Sequence, residues 1–223
     1  DSPLFFTATM NAWQRKIATR CLLISLVFVA IATTPPFATV QLARLDAFVA
    51  VVQTVMCLAD LLTATFLFTQ YSVQPQRALL VLASGFVFSG LFALLQTFSF
   101  PDAYVAGVLI GDELNSSVWL VVWWQTLFPA AVFVYALARH VDEPRSQFRR
   151  PAWDIGIAIS SVLIATAALT WIASAGFLPR LYISQTEKAP AALIALICIV
   201  FLNATAFALM FIRRRTILDQ WLI

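Results

Sequence analysis

The sequence has little charge. Of its 223 residues, 14 are Lys or Arg and 11 are Asp or Glu, so charged residues make up only 11%. A soluble domain carries about 25%, and the shortfall leaves too little polar surface to cover a globule in water. The low charge therefore excludes a disordered chain and an ordinary soluble enzyme.

The residue types that build common catalytic and metal sites are also scarce. The six glycines form no nucleotide-binding motif, and no GxSxG nucleophile motif is present. Cys21, Cys57 and Cys198 lie singly in apolar runs without a CxxC pair, which is typical of small packed side chains. His140 is the only histidine and cannot supply two axial haem ligands. We therefore expect no catalytic centre, no metal and no cofactor.

Long hydrophobic runs fill most of the chain, and hydrophobic residues make up 61% of it. A membrane helix needs about 20 mostly apolar residues. The sequence predicts an all-α polytopic transmembrane bundle in a single domain, 1–223, with about six spans, near 17–34, 47–71, 78–96, 118–138, 153–173 and 189–212.

The basic residues predict the orientation of these spans. Eleven of the 14 Lys and Arg residues flank the first span, lie in the second-to-third and fourth-to-fifth loops, or follow the sixth span. The other three, Arg44, Arg180 and Lys188, fall on the opposite side. Because cytoplasmic loops carry the excess of Lys and Arg, both termini are predicted to be cytoplasmic. Basic residues at membrane flanks do not indicate nucleic-acid binding.

Cysteine labelling in intact cells tests this orientation. In a background without the native cysteines, a membrane-impermeant thiol reagent should reach Val105→Cys in the third-to-fourth loop. It should miss Arg145→Cys in the fourth-to-fifth loop until the cells are opened. Labelling of Arg145→Cys in intact cells would contradict the predicted topology.

Two segments keep alternative interpretations. The first span could be a leader with a basic start at 15–20, an apolar run at 22–29 and a cleavage site at Ala30-Ile31-Ala32, or it could be a retained helix. The loop 97–117 carries Asp102, Asp112 and Glu113 without a basic residue. It is the longest non-spanning stretch, either a functional outward-facing segment or a simple connector.

Asp60 is the only ionisable side chain deep within a predicted span. Gln53, Asp60, Thr63 and Gln70 follow at spacings of seven, three and seven, which places them on one arc of about 100°. Such a polar stripe is expected to point into the bundle, with Asp60 neutralised or hydrogen-bonded. It fits either a helix-packing role or a ligand or proton site. We expect the fourth and sixth spans to supply the partners of Asp60, with Asn203 as the amide that meets it.

The fourth span is rich in aromatic residues and contains a proline. Trp119 is expected in the aromatic belt of the outer interface, whereas Trp124 and Gln125 lie deeper. Pro129 has no N–H, so it leaves the Gln125 carbonyl without its helical donor. The sequence predicts a bend there, which could serve as a hinge, bind a small polar group, or reflect ordinary packing. Two aromatic ridges are predicted, one from Trp119 and Trp123 and the other from Trp124 and Phe128.

Several motifs are similar to the fourth type of bacterial membrane-associated sensor (MASE) domain. They are Asp60-Leu61-Leu62-Thr63-Ala64 with Gln70, Ala78-Leu79-Leu80-Val81-Leu82-Ala83, Thr97-Phe98-Ser99-Phe100-Pro101, Trp119-Leu120, Trp124-Gln125, Phe128-Pro129 and Tyr135-Ala136-Leu137. The closing segment 216–222 resembles the start of the family's next membrane helix. Where the family commonly has Trp-His, this chain has Trp124-Gln125, which weakens a metal or haem interpretation.

The resemblance implies a sensory input domain of the bacterial inner membrane that signals to a cytoplasmic histidine kinase or diguanylate cyclase beyond Ile223. The expected partners are membrane lipid, a second copy of the chain bound through that output module, and other membrane subunits. The alternatives are a structural subunit of a larger membrane complex and a small transporter using Asp60 as a proton carrier. The candidate signal-sensing residues are Asp60, Thr63, Gln70, Trp119, Trp124, Gln125, Pro129 and Asn203.

Overall fold

The computed structural model describes residues 12–34, 48–99, 110–111, 115–138, 150–183 and 189–213. These residues form six α-helices: α1 Ala12–Ala32, α2 Phe48–Val73, α3 Arg77–Ser99, α4 Asn115–Ala138, α5 Pro151–Ser174 and α6 Pro190–Arg213. The predicted all-α class is confirmed, and each helix overlaps one predicted span. Most of the loops 97–117 and 139–150, as well as the closing segment 216–222, fall outside the described residues.

Prolines and one glycine set several helix ends. Pro151 and Pro190 are the first residues of α5 and α6, where a proline loses no helical hydrogen bond and its φ already suits a helix. Gly176 has a φ of +73° just after the end of α5, and a left-handed residue there stops a helix. Only residues 74–76, with Pro75 at the middle, separate α2 from α3.

Among the described residues, five helices, α2 to α6, are long and apolar enough to cross a membrane. The sequence predicted about six spans, and the difference lies in α1. Its apolar part runs only from Thr19 to Ala32, about 21 Å of helix against a hydrocarbon core of about 30 Å. Lys16 and Arg20 place charge near its start. The chain is thus a multi-pass membrane protein, with five candidate spans by length and composition.

The chain divides into two compact units, 1–45 with 207–223, and 46–206. In the first unit, the described residues comprise α1, Thr33 and Thr34, and the last turns of α6, where the rings of Phe207 and Phe211 stack 6.2 Å apart.

In the second unit α3 contacts α2, α4 and α5. The most apolar stretch of α3 is 61% buried, compared with 28% or less for the other spans. Polar side chains on α3 are therefore placed to meet several helices at once.

Candidate functional site

Three polar side chains join α2, α3 and α4 in a hydrogen-bonded series that we call the Asp60–Ser89–Trp124 network. On α4, the indole Nε1–H of Trp124 donates to Oγ of Ser89 on α3 at 2.8 Å. Ser89 is also the hydrogen-bonding partner of the Asp60 carboxyl on α2. Ser89 is only 4% exposed, so one buried hydroxyl couples the positions of three membrane helices.

The local sequence of α3 explains why Asp60 reaches this hydroxyl. Ser89 is followed by Gly90, and a Cβ at Gly90 would lie 3.2 Å from the Cys57 carbonyl oxygen and 3.4 Å from Cβ of Asp60. Small residues allow membrane helices to approach each other closely. The absence of a side chain at Gly90 thus lets α2 pack tightly on α3 and brings Asp60 beside Ser89.

Two polar atoms at or next to this network are buried without a hydrogen-bond partner among the described residues. They are Oδ2 of Asp60 and Nε1 of Trp123, the neighbour of Trp124. Buried polar atoms in proteins are normally hydrogen-bonded, and each of these two can make one further hydrogen bond. The network therefore has unused capacity to bind a small polar group.

The rest of the predicted polar stripe on α2 is distributed along the helix and is not part of this network. Gln70 is buried, and neither polar atom of its amide has a partner among the described residues. Thr63 is half-buried, and its hydroxyl donates to the Ala59 carbonyl of its own helix at 2.8 Å. The structure thus brings Asp60 to another helix but connects neither Thr63 nor Gln70 to it.

Gln53, at the other end of the stripe, connects α2 to α3. Its Nε2 donates to Oε1 of Gln96 at 2.8 Å, and the Thr97 hydroxyl donates to Oε1 of Gln53 at 2.5 Å. Gln53 and Thr97 are both buried. This cluster of two amides and a hydroxyl holds α2 against α3. It therefore has the helix-packing role, one of the two alternatives that the sequence predicted for the stripe.

The expectation that Asn203 meets Asp60 is wrong. Asn203 Nδ2, on α6, donates to the Gln125 carbonyl of α4 at 3.1 Å and to the Ile199 carbonyl of its own helix at 2.9 Å. Asp60 contacts α3 directly and reaches α4 only through Ser89. The physical reason is the close α2–α3 packing at Gly90, which places Ser89 nearer to the carboxyl than any amide of α6.

The Asn203 contact instead explains how α4 accommodates Pro129 within a membrane helix. In a regular helix the Gln125 carbonyl accepts from the N–H of residue 129, which a proline lacks. Helix α4 continues through Pro129, and the Asn203 amide supplies the missing donor from α6. A neighbouring helix therefore satisfies the freed carbonyl, as a bilayer requires.

The aromatic side chains of α4 have different roles, since some pack against other rings and others donate hydrogen bonds. The rings of Trp119 and Trp123 lie 5.7 Å apart, as one predicted ridge requires. Trp119 Nε1–H also donates to the Pro179 carbonyl of the α5–α6 loop at 3.1 Å. Phe128 packs edge-on against Phe86 of α3, with centroids 5.2 Å apart. Trp119 is thus a loop anchor, and Trp124 is the aromatic residue that enters the polar network.

Sequence reasoning missed Ser89 and Asn115. A serine inside an apolar helix is common, although the pair Ser89-Gly90 was an available sign of a close helix contact. Asn115, the first residue of α4, accepts from the backbone N–H groups of Leu181 and Tyr182 at 2.9 and 3.1 Å. It fixes the α5–α6 loop over the end of α4, a contact that no local pattern indicates.

The comparisons with known proteins agree with this architecture. A family model described as MASE4, membrane-associated sensor, integral membrane domain, matches residues 43–223. Neither the curated proteins nor the solved structures compared with the chain give a match. The matched region includes α2 to α6 and hence the entire Asp60–Ser89–Trp124 network, and it covers well over half of the 223 residues. The chain therefore belongs to the MASE4 family of membrane-associated sensor, integral membrane domains.

Proposed function

We propose that this sensor domain relays a signal to a cytoplasmic histidine kinase or diguanylate cyclase by moving α4 relative to α2 and α3. The single observation that carries the proposal is the position of Ser89, which receives Trp124 from α4 and bonds Asp60 of α2. Any event that changes the hydrogen bonding of Asp60 alters the partner that holds Trp124. A signal at the network is thereby converted into a change in helix position.

The Gln125–Pro129 segment supports the proposal because it gives α4 a place to move. There a side-chain amide from α6 replaces a backbone hydrogen bond. A side-chain donor can follow or leave the carbonyl without breaking the rest of the helical ladder, so two tilts of α4 can lie close in energy. Two such arrangements are what a switching element requires.

The proposed setting is the bacterial inner membrane, with a homodimer formed through the output module. In this arrangement Asp60, Ser89 and Trp124 receive the signal, and Gln125, Pro129 and Asn203 form the hinge. Trp119 anchors the α5–α6 loop on α4. Thr63 and Gln70 lie on the same helix as Asp60 but are not hydrogen-bonded to the network among the described residues.

Trp124→Phe in the full-length protein tests this function. The substitution keeps an aromatic ring but removes the donor to Ser89. Hydrogen bonds between membrane helices contribute about 0.6 kcal/mol on average, so we expect the balance of two states, and with it the basal output, to shift about threefold. The measurement is kinase or cyclase rate in isolated membranes, normalised to the amount of inserted protein.

Trp171→Phe is the matched control. The same Trp-to-Phe change is made there on α5, where Trp171 is 65% exposed and its ring lies 5.7 Å from that of Phe177. Its output should equal that of the unsubstituted protein. An unchanged output in Trp124→Phe, with normal insertion, would contradict the proposed relay.

A further inference from the structure

A groove with a volume of about 610 Å³ lies between α3, α4 and α5, apart from the Asp60–Ser89–Trp124 network. Its volume is within the range of about 300–1,000 Å³ that is typical of small-molecule sites. It follows one face of α3 from Arg77 to Phe88 and one face of α5 from Asp154 to Val162. Eleven residues of helix rise about 17 Å, so the groove is long and narrow.

One end of the groove carries two opposite charges. Arg77 begins α3, and Asp154 lies in the first turn of α5. The Asp154 carboxylate accepts a hydrogen bond from the Tyr71 hydroxyl at 2.8 Å, which fixes its position. The Arg77 guanidinium is exposed and makes no hydrogen bond or ion pair with the described residues. Because both residues lie at helix starts, this end is at the membrane surface.

The remainder of the groove is apolar. Its two serines, Ser84 and Ser161, donate to carbonyls of their own helices, Leu80 at 2.8 Å and Ala158 at 2.7 Å. They therefore offer no unused donor and behave as small side chains. Gly85 lets α3 approach α4 closely beside the groove, since a Cβ there would lie only 2.8 Å from Cβ of Ala131.

We propose that this groove binds one phospholipid with a phosphoethanolamine headgroup, taken from the leaflet on the side of the α2–α3 loop. The phosphate lies at Arg77, whose planar guanidinium suits bidentate hydrogen bonds to phosphate oxygens. The ammonium lies at Asp154, since an ionised carboxylate can accept several hydrogen bonds in addition to the one from Tyr71. One acyl chain follows the apolar surface toward Phe88 and Val162.

The occupant follows from the pairing of charges. An anionic headgroup without an amine would satisfy Arg77 but bring a negative group toward Asp154. A free fatty acid would fill the apolar part but would bring no cation to the Asp154 carboxylate. Only a headgroup that carries both a phosphate and an amine matches both ends of the charge pair. The proposal concerns binding alone and does not depend on the relay proposed above.

Native mass spectrometry of the delipidated full-length protein tests the site. The protein is titrated separately with phosphatidylethanolamine, phosphatidylglycerol and oleate of matched chain length. We expect one phosphatidylethanolamine to bind in preference to the other two lipids. Arg77→Gln should weaken its binding about tenfold, the effect of losing a charge-assisted pair. Asp154→Asn keeps an acceptor for Tyr71 and should remove the preference for the ethanolamine headgroup.

Two further variants locate the lipid. Ser161→Phe fills the groove without changing charge and should reduce binding, and Arg180→Gln, outside the groove in the α5–α6 loop, should not. A phosphatidylethanolamine with a photoreactive acyl chain should cross-link to the α5 segment Ile157–Val162 even if Ser161→Phe folds poorly. Unchanged binding in Arg77→Gln, or cross-linking only outside the groove, would overturn the site. Equal binding of the three lipids by the unsubstituted protein would overturn the headgroup assignment.

Discussion

Replacing Ser89 with alanine is expected to shift the basal output of the full-length protein about eightfold. The Ser89 hydroxyl accepts from Trp124 and bonds Asp60, so its removal breaks two helix-to-helix hydrogen bonds at once. At about 0.6 kcal/mol each, the loss is about 1.2 kcal/mol, or roughly eightfold in a two-state ratio. The effect should therefore exceed that of Trp124→Phe, and the response to the natural signal should be lost.

Ser84→Ala provides a control on the same helix with the same chemical change. Among the described residues, the Ser84 hydroxyl donates only to the Leu80 carbonyl of α3 itself, so its loss removes no hydrogen bond to another helix. Output is measured in membranes that contain equal amounts of the inserted proteins. If Ser84→Ala and Ser89→Ala shift the output equally, the effect is a general one on α3 and the network does not transmit the signal.

The second large effect is expected from the contact between Asn203 and the Gln125 carbonyl. Asn203→Leu should destabilise the bundle by about 1 kcal/mol, because the carbonyl beside Pro129 then has no donor. In a Pro129→Ala background the restored backbone N–H can bond that carbonyl, so the same Asn203→Leu change should cost little. The coupling between the two sites is expected to be about 1 kcal/mol.

The measurement is the free energy of unfolding of the four proteins in one detergent. The Asn203 bond to Ile199 lies within α6 and is lost in both backgrounds, so it cancels from the coupling. Equal losses in the two backgrounds would show that Asn203 does not replace the missing helical donor.

Pro129→Ala alone should leave membrane insertion normal and lock the output of the full-length protein high or low, because α4 loses its adjustable hydrogen bond.

The helices could be predicted from the sequence because each depends on local properties. Runs of about 20 apolar residues form membrane helices, since the bilayer forces the backbone to satisfy its own hydrogen bonds. Prolines 151 and 190 fall at helix starts for reasons of local geometry. The first helix was predicted as a span, yet its apolar part is short because Lys16 and Arg20 lie near its start.

The polar site could be predicted only in part. The sequence identified Asp60, Trp124, Gln125 and Pro129 as unusual because charge, amide groups and proline are costly inside a membrane helix. It assigned the wrong partner to Asp60, since the distance between two helices depends on the side chains that separate them. The close approach at Gly90 follows from packing, and spacing along one helix cannot indicate it.

What the sequence alone determined is the class of molecule, a multi-pass helical membrane protein with a few polar side chains in its spans and motifs of the MASE4 family. These follow from hydrophobicity, helical periodicity and residue identity, which are properties of single segments. The tertiary structure decided which polar groups meet: Ser89 with Asp60 and Trp124, and Asn203 with the carbonyl freed by Pro129. Such pairings join residues 29 to 78 positions apart on different helices, so only the packing of whole helices brings them within hydrogen-bonding distance.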